Sequence, residues 1–403
     1  MKHSSRITLL AAGAAAAAAL AACGGGGGGS QAPAPVSSMG TLSVGLTDAP
    51  ACGFDAVNVT VSKVRVNKSS TASDTDGGWT DVTLAPAKKI NLLNLTNGVL
   101  ETLGQTSLEA GTYTQIRLVL DANTSGTANT VVPTGTTAEQ ALDTPSAVQS
   151  GIKLVGQFDV AAGARSDIVI DFDACKSIVT KGNGKYALKP VVKMLPSAIN
   201  GISGFVSTAL LGSRVTVSAQ QNGTIVSSTT PNATTGEFLL SRLVPGNYDV
   251  VITSDTSAAS VVAAVPVAST TSNTALSTAA APLTLASGNV ATISGTVTLT
   301  PPSATEVAYV AAKQTFTAGP TVTIKYQGAD LATGAYTLAN LPVAAPQYAT
   351  YSATLPLVFA ASTTTTAGKY RVDASATGYT TKSVEAVDVT TQNQANVNFA
   401  LVP

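Results

Sequence analysis

Through most of the chain, apolar residues alternate with polar ones at a period of two, the spacing of a half-buried β-strand. Leu42, Val44 and Leu46 form the first such run, separated by Ser and Gly. Helical periodicity is nearly absent, and one or two helical turns are expected only near Val99–Leu103 and Thr137–Leu142. The alternation predicts an all-β protein. It recurs at Ile116/Leu118/Leu120, Ile152/Leu154, Ile168/Ile170/Phe172 and Tyr186/Leu188.

One strand changes phase partway along its length. Val57, Val59 and Val61 alternate with polar residues, and the apolar positions then move to Val64 and Val66. Because a slip of one residue turns every following side chain to the other face, the strand must absorb an extra residue. The pattern predicts a β-bulge at this point.

The C-terminal half contains an internal repeat of a β module. Each copy opens with an Ile-Ser-Gly strand and continues through a Thr-Gly-x-aromatic segment and a Gly-x-Tyr strand. The second copy is longer between these last two landmarks, which places an insertion at residues 343–367. The paired landmarks are residues 202–206 and 293–297, 235–240 and 333–338, 246–248 and 368–370, and 264–267 and 386–389.

The N-terminus is typical of an export signal. Lys2 and Arg6 precede an apolar run over residues 7–22, which is short for a membrane span. The run ends in Leu20-Ala21-Ala22-Cys23, which resembles the lipobox of bacterial lipoproteins. That resemblance implies cleavage of residues 1–22, acylation of Cys23 with chains such as palmitate, and membrane anchoring at the cell envelope. In a cell with two membranes it implies the outer one, with the side of that membrane left open.

Composition then narrows the chemistry. The chain has 22 basic and 22 acidic residues, so no charge excess favours nucleic acid. The only histidine, His3, leaves with the signal peptide, which excludes His-dependent nucleophiles and His-ligated zinc or haem. Residues 23–39 are rich in Gly and Pro and predict a flexible tether after the lipidated cysteine. We expect no catalytic residues, no metal and no cofactor.

Acylation of Cys23 leaves two cysteines, Cys52 and Cys175. Exported proteins with paired cysteines usually oxidise them, so the sequence predicts one disulfide between these two residues.

Residues 40–195, called module one below, resemble the bacterial domain of unknown function 4382, a family without known activity. The matching residues, in order along the chain, are Thr47-Asp48-Ala49-Pro50, Asn91-Leu92-Leu93, Gly111, Tyr113, Gln115-Ile116-Arg117-Leu118, Pro145-Ser146, Ser150-Gly151-Ile152-Lys153-Leu154, Asp171-Phe172-Asp173 and Leu188-Lys189-Pro190.

The two repeats, residues 199–286 (module two) and 288–403 (module three), resemble carboxypeptidase regulatory-like modules on the landmarks given above. These are small sandwiches of the prealbumin or starch-binding type, so the resemblance implies three tandem β-sandwich-like modules in all. Such modules are mostly scaffolds or binding appendages, and their fold does not specify a function.

Several polar residues are candidates for chemistry, and each has a plainer explanation. Asp171 and Asp173 lie on one face of a strand and could bind calcium or act as an acid/base pair, but a solvated strand face is favoured. Arg117 and Lys153 are expected on polar strand faces, although a polar cluster within module one remains open. Trp79 is expected to pack on a hairpin.

The insertion supplies the one candidate ligand site, at Tyr348 and Tyr351. Flat amphipathic rings on an inserted loop suit a polysaccharide or an envelope protein, whereas an extra hairpin would use them for packing. The sequence therefore predicts a membrane-anchored, non-catalytic binding or structural protein. The alternatives are a glycan-acting enzyme that uses carboxylates and a purely structural surface spacer.

Overall fold

Nearly all of the regular secondary structure in the described backbone is β-strand, which confirms the all-β prediction. The computed structural model describes residues 38–49, 53–124, 127–197, 199–317, 319–361 and 367–403. The strands form several separate sheets, which pair face to face as sandwiches. Helices in these ranges are single turns.

Module one contains a four-stranded sheet, ordered β12-β9-β1-β4, and an eight-stranded sheet, ordered β10-β11-β7-β6-β2-β5-β8 with β3 paired to β2. A 3₁₀ turn spans Leu92–Leu95, and the helical turns are α1 (Pro145–Gln149) and α2 (Ala174–Ser177). The strands are β1 (Met39–Ala49), β2 (Phe54–Asn67), β3 (Thr80–Asn91), β4 (Glu101–Glu109), β5 (Gly111–Leu120), β6 (Thr130–Pro133), β7 (Gln140–Asp143), β8 (Ile152–Val160), β9 (Arg165–Asp173), β10 (Ile178–Thr180), β11 (Tyr186–Leu188) and β12 (Val192–Pro196).

The predicted bulge is confirmed, because the register of β2 with both of its neighbours shifts between Val61 and Lys63. The expected helical turns are wrong. Glu101 opens β4, and β7 occupies Gln140–Asp143. Sheet pairing in these segments outweighs a weak local helical pattern, as tertiary context commonly does.

Modules two and three each pair a three-stranded sheet with a larger one. Module two has sheets β16-β13-β19 and β15-β14-β17-β18, and module three has β23-β20-β28 and β22-β21-β26-β27. A second 3₁₀ turn spans Thr208–Leu210. The strands of module two are β13 (Gly201–Phe205), β14 (Val215–Gln221), β15 (Thr224–Thr229), β16 (Glu237–Ser241), β17 (Gly246–Ser254), β18 (Ser260–Val267) and β19 (Asn273–Ala275). Those of module three are β20 (Val290–Leu299), β21 (Tyr309–Thr315), β22 (Thr321–Gly328), β23 (Ala335–Pro342), β24 (Gln347–Thr350), β25 (Ala360–Ala361), β26 (Lys369–Ser375), β27 (Lys382–Asp388) and β28 (Phe399–Leu401).

The backbone confirms the internal repeat. Gly236 and Gly334 both have φ near +70° (72° and 69°), and Ala264 and Ala386 share the rarer positive φ of a non-glycine residue. The Ala residues lie beside equivalent register shifts, in β18 and β27. The two copies therefore share the same backbone conformation at matching landmarks, although the side chains around those landmarks differ.

The insertion of module three adds two strands to the larger sheet of module two. β24 pairs in parallel with β18, and β25 pairs with β24, so the larger sheet of module two gains two strands from its neighbour. Gln347 donates its backbone N–H to the carbonyl of Ala259 at 2.8 Å, and Tyr351 donates to Ala263 at 2.9 Å. The insertion therefore joins the two modules through main-chain hydrogen bonds.

The hydrophobic cores cross the same boundary. Module one has its own core, built on β1, β2, β5 and β9. Neighbouring residues of β18 face opposite ways: Val262 packs in the core of module two, while Val261 packs in that of module three. Leu357 and Phe359 of the insertion pack against the core of module two. Modules two and three are consequently interlocked.

Candidate functional site

A cavity lies where the three modules meet, and we call it the junction cavity. Its volume is about 330 Å³. The floor is the outer face of the larger sheet of module three, because β21 sends alternate residues Tyr309, Ala311 and Lys313 to that face. The residues between them, Val310 and Ala312, pack in the core beneath.

Cross-strand pairing completes this floor. Ala311 lies opposite Tyr326 of β22 on one side and opposite Asp373 of β26 on the other. Tyr309 pairs with Ser375 in the same way. Side chains that share a face on paired strands are direct neighbours, so these groups form one continuous surface. The other floor residues are Lys313, Thr323 and Thr381.

The walls come from the other two modules. Lys176 of α2 in module one lines one side, and residues 223–225 of module two line another. Tyr309 donates its hydroxyl hydrogen to the backbone carbonyl of Lys176 at 2.6 Å, and the Lys176 ammonium lies 5.4 Å from the centre of the Tyr326 ring. Thr323 donates its hydroxyl hydrogen to the carbonyl of Gly223 at 2.7 Å. These contacts join both walls to the floor.

The charged groups in the junction cavity occur as pairs. Lys313 Nζ lies 3.1 Å from Asp373 Oδ2, and Lys176 Nζ lies 3.0 Å from Asp173 Oδ2. Burial opposes ionisation of Asp373, but hydrogen bonds from Ser383, Arg371 and Lys313 outweigh it and lower the pKa of this carboxyl. The Asp373 carboxylate is therefore ionised at neutral pH, and Lys313 compensates its charge.

Both tyrosines of the cavity stay neutral at physiological pH. Burial raises the pKa of Tyr309 to about 12, with further contributions from the negative charges of Asp173 and Glu306. Burial and the charge of Asp173 also raise the pKa of Tyr326. The two phenols can therefore act as hydrogen-bonding and stacking groups but not as bases.

The two tyrosines predicted as a ligand site lie elsewhere, at the contact between modules two and three. The half-buried Tyr348 ring packs on Phe316 with their centroids 4.8 Å apart. Tyr351, also half-buried, packs against the core of module two. The insertion thus forms the extra hairpin that was the plainer explanation, and ligand binding by these two rings stays a prediction.

The expectation that Asp171 and Asp173 occupy a solvated face is wrong. Asp173 is 6% exposed and accepts the backbone N–H of Lys176, which caps α2. Asp171 is half-buried, and burial raises its pKa to about 6 despite the nearby positive charge of Lys193. Module two covers this end of β9, because Lys193 of the adjoining strand donates to the carbonyl of Val226.

Asp48, at the end of β1, joins these two carboxyls. It is buried, its Oδ1 accepts the N–H of Ala174 at 3.0 Å, and its Oδ2 has no hydrogen-bond partner among the described residues. Burial raises the pKa of Asp48 well above its usual value. Asp48 and Asp171 line a second cavity of only about 20 Å³, which has room for roughly one water molecule.

The polar face of module one differs from the default expectation at Arg117, whereas Lys153 is exposed as expected. Arg117 is buried and donates to the carbonyls of Ala72 and Ser150, while Lys153 donates to that of Ser70. Trp79 lies over this cluster, 4.9 Å from the Arg117 guanidinium carbon. The loop between β2 and β3 therefore closes over the sheet, and the polar cluster that the sequence left open is present.

Cys175 lies in α2, half-buried. Cys23 and Cys52 lie outside the described residues. The predicted lipid site and the predicted disulfide therefore both stay predictions.

Two kinds of feature are absent from the described ranges. No group of three or more His, Cys, Asp or Glu side chains there is placed to hold a metal ion. No helix in the same ranges is long and apolar enough to cross a membrane.

The sequence did not point to the junction cavity, because its lining comes from residues far apart along the chain. A usable signal did exist. Tyr309, Ala311 and Lys313 share a strand face with mixed aromatic, small and charged character, unlike the Thr-rich faces elsewhere. The sequence does not indicate that modules one and two cover this face.

Comparison with known families and structures supports module one only. Residues 39–190 match the model of a domain of unknown function, DUF4382, as the sequence motifs predict. No curated protein matches the chain at a significant level. The regulatory-like resemblance of modules two and three stays a prediction.

Solved structures give weak likenesses. A type II cohesin–X-dockerin complex from Acetivibrio cellulolyticus is 24% identical over 22% of this chain, with a TM-score of 0.19, and only 58% of that protein is covered. The major pilin SpaA of Corynebacterium diphtheriae is 13% identical over 90% of this chain and all of its own, with a TM-score of 0.21. The TIE protein of Bacillus anthracis is 9% identical over 90% of this chain and 50% of its own, with a TM-score of 0.18. At such scores these likenesses carry no functional argument.

Proposed function

We propose that this protein is a non-catalytic β scaffold of the cell envelope, anchored by a lipid on Cys23 and held by its three modules as one rigid body. The observation that carries the proposal is the interlocking of modules two and three, together with the direct contacts that each of them makes with module one. Neighbouring domains that share a sheet and a core cannot reorient without breaking main-chain hydrogen bonds and exposing apolar surface.

Side-chain contacts add to the interlocking. Gln220 of module two donates to the carbonyl of Thr323 in module three and accepts its N–H, both at 2.8 Å. Asn97 of module one accepts the N–H of Leu239 in module two at 3.1 Å. Lys189 of module one pairs with Glu306 of module three at 2.9 Å. Each pair of modules is therefore linked directly.

Anchoring is tested at Cys23. Mature protein from membranes should begin at an acylated Cys23, and Cys23→Ala should move it to the soluble fraction, whereas Ser30→Ala in the tether should leave it membrane-bound. Mass spectrometry of the purified N-terminus and fractionation of cells read the result. An unmodified mature N-terminus that begins elsewhere would refute the anchor.

The alternative function, a glycan-acting enzyme that uses carboxylates, has little support in the arrangement of Asp48 and Asp171. A carboxylate-dependent glycosidase needs two carboxyls about 5–10 Å apart across a cleft that admits a sugar ring. Asp48 and Asp171 instead border a space of about 20 Å³. This favours a structural role for both residues.

Carbohydrate binding is the second candidate function. The junction cavity is a better place for such a ligand than Tyr348 and Tyr351. The cavity has space for a ligand, while those two rings pack against other residues. Binding of soluble oligosaccharides to the mature protein, measured by isothermal titration calorimetry, tests this candidate.

A further inference from the structure

We propose that the junction cavity binds one neutral sugar unit of a glycan chain, with the Lys313–Asp373 pair hydrogen-bonding to adjacent hydroxyls of that sugar. This inference deepens the second candidate function and rests on it. Its first support is size. A volume of about 330 Å³ falls within the range of small-molecule sites, which begins at roughly 300 Å³.

The charge of the lining selects a neutral ligand. Both lysines of the cavity face a carboxylate within about 3 Å, so neither offers an uncompensated positive charge to an anion. Asp373 also accepts a hydrogen bond from Arg371 at 2.7 Å and has no uncompensated negative charge to attract a cation. A charged ligand would have to separate these partly buried ion pairs. The free energy lost in separating them exceeds the free energy gained from the new contact.

The hydrogen-bonding pattern suits vicinal hydroxyls. A hydroxyl both donates and accepts, so one hydroxyl can accept from Lys313 Nζ while its neighbour donates to Asp373 Oδ2. The two protein atoms are 3.1 Å apart. Ser375 and Thr381 add further hydroxyls to the lining.

The apolar part of the lining suits the C–H face of a sugar ring. Tyr309 and Tyr326 are fixed on their strands, by the hydrogen bond to Lys176 and by the Lys176 ammonium over the Tyr326 ring. Rigid aromatic rings lose little entropy on binding and present flat amphipathic surfaces. Ala311 between them leaves the space open.

The test uses the full mature protein and three soluble probes: a neutral glucan hexasaccharide, an N-acetylglucosamine hexamer and a hexuronate oligomer. We expect at least one of the two neutral probes to bind, and the hexuronate to bind at least tenfold more weakly. Absence of binding by both neutral probes would overturn the proposal, as would a preference for the hexuronate.

Two variants locate the site. Ala311→Trp should fill the cavity and weaken binding of the neutral probe at least tenfold, while the matched control Ala311→Ser should bind as wild type. If Ala311→Trp does not fold, Thr381→Trp at the exposed rim serves the same purpose. A folded blocking variant that keeps wild-type affinity would overturn the site.

The same samples separate this proposal from the scaffold. Calorimetric unfolding of the wild-type protein reports whether the modules melt together. A single transition without sugar binding would refute the sugar site and leave the scaffold standing.

Discussion

At the residue scale, two glycines hold the turns that open equivalent strands of the repeat. At Gly334, an added Cβ would lie 2.1 Å from the carbonyl oxygen of Val297, and at Gly236 it would lie 2.2 Å from that of Val206. Both have φ in the left-handed region as well. Any side chain would therefore face backbone strain and a backbone clash together.

We expect Gly334→Ala to lower the free energy of unfolding by about 3 kcal/mol or more, since the left-handed backbone alone costs about 1–2 kcal/mol and the clash adds to it. Gly378 is the matched control, because it has φ of 81° with open space around its Cβ position. Gly378→Ala should cost only about 1 kcal/mol. Urea denaturation followed by circular dichroism measures both, and equal losses would contradict the clash.

The buried carboxyls give module one a distinctive pH dependence. Asp171 titrates near 6 in the folded protein and near 3.8 when unfolded. The folded state therefore holds the proton more tightly between these values, and the contribution of Asp171 to stability is lost as the pH rises through 6.

Asp171→Asn should remove this loss. The variant should gain stability relative to wild type at pH 7 compared with pH 4.5, by about 2 kcal/mol. Chemical denaturation at the two pH values measures the difference. A variant whose offset from wild type is independent of pH would show that burial does not act on Asp171 as described.

The predicted disulfide also belongs to this scale. Ala49 pairs with Asp173 in parallel register. Cys52 follows Ala49 by three residues and Cys175 follows Asp173 by two, so both cysteines come soon after the same paired position. A bond across so long a loop should stabilise the fold by about 5 kcal/mol in the chain-entropy model. Peptide mapping under non-reducing conditions should recover the linked peptides, and two free thiols in exported protein would sink the prediction.

At the element scale, the joining of β18 and β24 decides how modules two and three associate. Strand β18 carries the run Ser260–Val267, in which apolar residues do not alternate. Both faces of this strand are buried, one in each core. Parallel addition of β24 then covers the edge of β18, which would otherwise expose unpaired main-chain groups.

We expect Gln347→Pro to weaken this association by about 3 kcal/mol, since proline removes the N–H that bonds Ala259 and disturbs the strand. Gln347→Ala keeps that N–H and loses only the hydrogen bond from Ser260 Oγ, so it should cost about 1 kcal/mol. Hydrogen exchange at β18 should rise in the proline variant alone. Unchanged protection there would indicate that β24 does not hold the edge.

Strand periodicity, the bulge in β2 and the internal repeat could be predicted from sequence because each depends on neighbours along the chain. The burial of Asp171 and Arg117 could not, because it depends on which segment covers a strand face. One long-range signal was readable: the apolar stretch 258–268 is too short for a membrane span and too continuous for a half-buried strand. That combination is typical of a strand buried on both faces.

At the scale of the whole molecule, the cross-module contacts predict that the chain from module one to module three moves as one body. The junction cavity depends on this arrangement, because its floor and walls come from different modules.

Distance measurement between modules one and three tests this central claim most directly. Spin labels on genetically encoded residues would replace the exposed Lys185 and Lys382, and double electron–electron resonance would report their separation in the mature protein. We predict one narrow distance distribution that salt and viscosity leave unchanged. A broad or multimodal distribution would show that the modules reorient independently and would contradict the rigid scaffold.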